Sequence, residues 1–319
     1  MAAGTLAATA ASRAWRMAPG RPRTTMIRKR IEAQILGLTG LALGGVDFEN
    51  PPGDPGLFGP NSISWQVHSD FTSMLIGGVA ALLIQMLHPL ALAGVWDHSN
   101  FRRDMLGRLR RTGQFISGTT YGSTADAERL IARVRDIHEN VRGVAPDGRP
   151  YHANDPDLLT WVHVAEVSCF LASHLRYRNP HLPEADQDRY YDEIALIAYR
   201  LGARDVPRSR KEVAAYLERM KPQLVCDERT REIADILLSN PPAVSPWAQP
   251  VSKLMLHAGV ALLPDWAADM LALQKPVWQR RAIELAVGRV APVLRWAVRN
   301  GSAHRAKRRM GLLPPNPDL

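Results

Sequence analysis

Three histidines stand in apolar surroundings. Between residues 124 and 141, Ala127, Leu130, Ile131, Val134, Ile137 and Val141 recur at three- and four-residue spacing, and His138, four after Val134, falls within the stripe they form on one helix face. A neutral imidazole turned into a core either satisfies itself on a backbone carbonyl or serves as a ligand, and one histidine facing an apolar pocket is all that b-type haem iron asks of a protein. Periodicity alone does not separate the two. His163, in Trp161-Val162-His163-Val164-Ala165-Glu166, poses the same question, with Glu166 three positions on to orient the ring or pair with it. Together His138, His163 and Glu166 also make two histidines and one carboxylate, a ligand set of non-haem iron oxygenases. His88, in Gln85-Met86-Leu87-His88-Pro89, sits where an apolar helix must bend, and a carbonyl freed by the proline is its simplest partner. Arg108 and Thr112 are four apart and share a face, whereas Arg110 and Arg111 read as a solvated one. An arginine turned inward needs an anion: a haem propionate, bound superoxide or a carboxylate.

Other chemistries are struck out by the motifs that are missing. The chain has no HExxH, no GxxxxGK[ST] and no GxSxG. It also lacks any Glu-x-x-His, two of which a ferritin-like di-iron centre requires. Cys169 and Cys226 are the only cysteines, too far apart for a thiol zinc site or redox pair, so the expectation is a reducing, cytoplasmic setting. No apolar run of export-signal type occurs in the first 25 residues.

The elements that must position these residues read as helices almost throughout. Phe71 to Trp96 runs 26 residues without a Lys, Arg, Asp or Glu. Gln85, His88 and Pro89 in its middle and acidic flanks favour a buried helix bent at Pro89 over a membrane span. Ser99-Asn100 predict a helix over 101–116, Ser123-Thr124 one to Val141, and Asp155-Pro156 one to Tyr177. Ser209 with Glu212 spells a capping box. Further helices are predicted at 30–38, 184–202, 210–221, 228–239, 247–262, 265–273 and 276–299, the last interrupted by Pro292, and no strand pattern is legible. The expected fold is all-α, a single large helical domain over 46–300. It is preceded by a basic, disordered extension with a first helix (1–45) and followed by a basic tail (301–319). Asp47 to Pro60, rich in Pro and Gly, reads as the loop leading into the core.

The net charge of +9 belongs to the ends. Residues 1–30 carry Arg13, Arg16, Arg21, Arg23, Arg28, Lys29 and Arg30 without an acid, residues 285–319 carry seven bases against Asp318, and the body between is slightly acidic. Nucleic acid is therefore excluded as the expected partner, whereas tails of this kind suit an anionic membrane surface or simple solubility.

Seven short motifs then fall in one order: Gln85-Met-Leu-His88-Pro89, His98-Ser99-Asn-Phe101, Arg108-Leu-Arg-Arg-Thr112, Tyr121-Gly122, His138-Glu-Asn-Val141-Arg142-Gly143, Tyr151-His-Ala153 and Trp161-Val-His163. In this order and spacing the chain resembles, over about residues 60–300, the family named for the fungal oxygenase of mycophenolic acid biosynthesis and the bacterial latex-clearing rubber oxygenase. That family, once a domain of unknown function, is common in actinobacteria. The resemblance implies a helical fold with a globin-like haem pocket and oxidative cleavage of isoprenoid carbon–carbon double bonds by O2. It implies haem b as cofactor, His138 as proximal iron ligand with His163 in reserve, and Arg108 and Thr112 as pocket-lining catalytic residues; His88, at the bend, is a further candidate to bind the cofactor. Two departures stand out. Arg111 replaces a lysine that can close the distal iron site, and the family's acidic base has no clear counterpart, Asp97 and Asp104 being only nearby. The expectation is a haem-dependent oxygenase using O2 on an apolar, isoprenoid- or lipid-like substrate. The alternatives are a non-catalytic, membrane-peripheral lipid-binding protein and a non-haem iron oxygenase.

Overall fold

The computed structural model describes residues 22–239, 241 and 245–315. In chain order its helices are α1 (Pro22–Leu38), α2 (Ile63–His68), α3 (Phe71–Gln85), α4 (Pro89–His98), α5 (Met105–Tyr121), α6 (Thr124–Glu139), α7 (Pro156–Tyr177), α8 (Glu184–Leu201), α9 (Arg210–Met220), α10 (Glu228–Ser239), α11 (Gln249–Leu262), α12 (Asp265–Met270), α13 (Val277–Ala297) and α14 (Ser302–Arg309). A hairpin of β1 (Arg142–Val144) and β2 (Pro150–His152) joins α6 to α7, so the architecture is all-α but for six residues. The expected disorder of the first residues lies outside those described.

The uncharged helix α3 is the centre, packed between α7 and α11. Ile76, Val79, Ala80, Leu83 and Ile84 are buried there with Trp161, Ala165, Met255 and Leu256. Two glycines permit the approach. A Cβ on Gly77 would lie 2.9 Å from the Cys169 carbonyl, and one on Gly259 would lie 2.5 Å from Val79. Asp70 starts α3 by accepting the Ser73 N–H at 2.8 Å, and Arg295 of α13 pairs with the same carboxylate at 2.6 Å.

The long apolar run is thus a core element, but not one bent helix. α3 and α4 are separate helices turned by 105°, broken over Met86–His88. Polar groups at the break are drawn to distant elements. Gln85 donates to the Val162 carbonyl (3.0 Å), its own carbonyl accepts the Trp161 indole N–H (3.2 Å), and the Leu87 carbonyl accepts the Val225 N–H (2.8 Å). Besides this bent pair, only α7 among the described residues is long and apolar enough to cross a membrane, and it is mostly buried in the protein.

Predicted and observed helices agree closely where caps are strong, as in α6 after Ser123 and α7 after Asp155. The helix expected at 101–116 instead runs Met105–Tyr121. Ser99 caps the end of α4, the Asn100 carbonyl takes the N–H groups of Arg103 and Asp104, and Asp104 becomes the true N-cap. In the capping box, Ser209 accepts the Glu212 N–H, but Glu212 reaches back to Arg208 rather than to Ser209.

The segment expected as a basic C-terminal tail is folded over most of its length. Arg309 is only 3% exposed and donates to the carbonyls of Asp54, Phe48 and Gly122, while Arg308 pairs with Glu49 at 2.5 Å. Much of the C-terminal charge is therefore spent inside the molecule.

Candidate active site

A cavity of about 620 Å³ opens among α3, α4, α5, α6, α7 and α8. That volume is in the range of small-molecule and cofactor sites, roughly 300–1,000 Å³. Its wall is largely aliphatic, from Leu82, Leu90, Val95, Val134, Ile137, Leu158 and Val162, and also carries polar groups, among them Gln85, His98, Ser99, Arg108, Arg111, Thr112, His138, Tyr151, His163 and Glu166. Five of the residues singled out from sequence, Arg108, Thr112, His138, His163 and Glu166, meet on this wall although they come from three helices.

His138 stands in the last turn of α6, with its Nδ1 buried and unbonded. Burial lowers its pKa, so the ring is neutral, while neighbouring Asn154 opposes that shift. Asn154 comes close without a hydrogen bond, for its Oδ1 is also buried and unpartnered. The two unpartnered atoms are complementary. Nδ1–H would then donate to Asn154, fixing the tautomer that leaves the Nε2 lone pair free, the arrangement by which outer partners orient metal-bound imidazoles. His163 is buried deeper on α7, with Nε2 unpartnered and its pKa pushed down to about 4 by burial.

Arg108 is the cavity's unbalanced charge. Its guanidinium donates to Ser99 Oγ at 2.8 Å, and no carboxylate pairs with it among the described residues. Burial, with Arg111 nearby, pulls its pKa down to about 10, which still leaves it charged at neutral pH. A cation held in an apolar wall without a counterion is set up for an anionic group on a ligand. Arg111 faces the cavity from the more exposed side, with Asp104 at 3.5 Å.

Glu166 is the only acidic residue on the wall among the described residues, and burial raises its pKa to about 7. It also lines a second, mostly apolar cavity of about 220 Å³ between α1, α3, α5 and the segment after α13. Leu82, Gln85, Thr112 and Glu166 are common to both walls, so the two spaces adjoin at one hydroxyl, one amide and one carboxyl.

Three sequence expectations change. His88 does not line the cavity: its Nδ1 caps α4 by accepting the Ala91 N–H (3.5 Å), and its ring packs near Trp161. Thus it serves a freed N–H, not a freed carbonyl. Asp97 and Asp104 are committed elsewhere, Asp97 accepting the Tyr151 hydroxyl (2.6 Å) and Asp104 capping α5. His138, His163 and Glu166 share a wall without converging, for no three His, Cys, Asp or Glu side chains among the described residues form a metal-binding group. Asn154, Ser99 and the Tyr151–His98 pair, in which Tyr151 Oη lies 3.2 Å from His98 Nε2, have no spacing signature. Only the motifs His98-Ser99 and Tyr151-His-Ala153 hinted at them.

Fold and site define a helical protein whose centre is a ligand-sized apolar cavity carrying histidine, arginine and one carboxyl. The family described as ER-bound oxygenase mpaB/B'/rubber oxygenase, catalytic domain, matches residues 65–312, and the chain belongs to that family of oxygenases. The match begins in α2 and runs past α14, so it takes in the folded C-terminal segment and leaves α1 outside. Neither the curated proteins nor the solved structures contain a match to the chain.

Proposed function

We propose that this oxygenase is haem-dependent, with haem b held by His138, and that it acts with O2 on an apolar, isoprenoid- or lipid-like substrate. One observation carries the reading: the same cavity presents a neutral histidine with an unbonded, buried Nδ1 and a half-buried arginine with no carboxylate partner among the described residues. The first suits an iron ligand awaiting its outer partner, the second a propionate. Bound there, haem would supply the site at which O2 is held and activated.

The remaining chemistry belongs to the chain's own side chains. Arg108, held by Ser99, fixes an anionic group and does not release a proton at neutral pH. Arg111 offers only N–H donors and no acceptor atom, so it cannot take the place of a lysine that closes an iron site. Thr112, on both walls, offers a hydroxyl where the cavities meet. Glu166 at the same junction can hold or accept a proton at its carboxyl near neutral pH, the role for which Asp97 and Asp104 are unavailable. The aliphatic walls exclude water and accept a substrate without charge.

The test is an absorption spectrum of protein produced with a haem precursor. Wild type and His163→Ala should show a Soret band, and His138→Ala should lose it. A wild-type protein without the band overturns the haem reading. A band that survives His138→Ala and vanishes with His163→Ala moves the ligand to α7.

A further inference from the structure

Helix α13 has two faces. Val287, Ala291, Leu294 and Ala297 turn inward, and on the opposite side Trp278, Leu285, Val293 and Trp296 turn out, with Trp278 and Leu285 each 69% exposed. At 100° per residue, Trp278, Leu285, Arg289 and Trp296 fall within a narrow strip along the helix, and Arg281 and Val293 flank it. The strip is about 27 Å long at 1.5 Å per residue. Arg281 and Arg289 are exposed and pair with no carboxylate among the described residues, and the exposed Glu284 points off the strip. Single exposed apolar residues are ordinary, but an ordered row of this length is not. Helix α1 packs along α13 and adds exposed Met26 and Ile27, followed by Lys29 and Arg30.

We propose that this α13 face, with the start of α1, is where the protein docks on an anionic lipid surface, lying in the interface rather than crossing it. Tryptophan at both ends suits the headgroup boundary, leucine and valine between them reach the acyl region, and the interleaved arginines have no protein counterion to leave. Charge favours lipid over a second copy of this chain, whose same face would repel it. Position favours it as well. The apolar 220 Å³ cavity is walled by Ile35, Leu36 and Leu38 of α1 and by Val298 and Ser302 just after α13. A lipid-like substrate would thus enter through the elements that touch the bilayer. That last point rests on the proposed substrate class; the docking itself does not.

The test is co-sedimentation of the full chain with phosphatidylcholine vesicles, with and without phosphatidylglycerol. Wild type should bind best when phosphatidylglycerol is present. Trp278→Asp with Leu285→Asp should weaken binding to both vesicles by about tenfold or more, since charged groups replace the inserted side chains. Arg281→Gln with Arg289→Gln should weaken only the phosphatidylglycerol-dependent part. All four positions are exposed, so far-ultraviolet circular dichroism should not change. Failure of wild type to sediment overturns the proposal. So does unaltered binding by both variants, which would assign binding to the N-terminal basic segment. A variant that lowers oligomeric mass instead of vesicle binding makes the face a protein interface and overturns it too. The readout involves neither haem nor turnover, so vesicle binding without a Soret band would sink the haem reading and leave this one standing.

Discussion

Glu166 makes the site's electrostatics measurable without substrate or cofactor. Its carboxyl is raised from an ordinary value near 4.5 to about 7 because burial disfavours the charged form. The folded protein therefore holds this proton more tightly than the unfolded chain does. Stability from this group is complete below about pH 4.5, declines as pH rises towards 7, and is fully lost above it. A rise of that size corresponds to about 3 kcal/mol. Glu166→Gln removes the titration, so the stability of the variant relative to wild type should climb by about 3 kcal/mol across the window, from under about 1 kcal/mol at pH 5 to the full value by about pH 8.5. Urea unfolding at a series of pH values reads the difference directly, because the other carboxyls titrate alike in both proteins. A difference that stays constant from pH 5 to 8.5 refutes the reasoning. One that falls with pH would mean that the carboxylate is stabilised by a cation in the folded state.

Two packing predictions concern the frame that holds the cavity. Gly259→Ala places a methyl against Val79 where α11 meets α3, and should cost about 1–3 kcal/mol in urea unfolding, with the helix content of the folded state unchanged. Arg309→Met keeps most of the apolar stem but strands three carbonyls, two of them buried, and should cost about 2–4 kcal/mol; a loss below about half a kcal/mol would mean that water serves those carbonyls equally well.

Where a local signal was strong, sequence and structure coincide. Asp155-Pro156 and Ser123-Thr124 set their helix starts because a side-chain oxygen must serve free N–H groups within three residues, a constraint that tertiary contacts rarely overrule. The histidine and arginine of the cavity were legible for a related reason: helical spacing places His138 among apolar neighbours whatever the rest of the chain does. Features that depend on distant partners were not. Pro89 predicts a bend, but its size, 105°, follows from Trp161 and Val225 reaching back to carbonyls at the break. Asn154 beside His138 and Ser99 beneath Arg108 are set by the hairpin and by the α4–α5 turn, and neither has a periodic signature. The basic residues near 305–309 read as a tail because composition reports charge and not the carbonyls of residues 48, 54 and 122 that Arg309 serves.

Those last contacts also bear on the order in which the molecule assembles. Arg309 reaches Phe48 across 261 positions of chain, and Arg28 reaches the Ala297 carbonyl across 269. Closing such long loops costs more entropy than joining α3 to α7, so that pairing is placed to form before the seam between the first and last helices closes. Interactions made after the folding barrier act on escape from the native state rather than on arrival. Weakening the Arg309 clasp should then speed unfolding while leaving the refolding rate nearly unchanged, which makes this seam, remote from the cavity, the part of the molecule that sets how long the folded state persists.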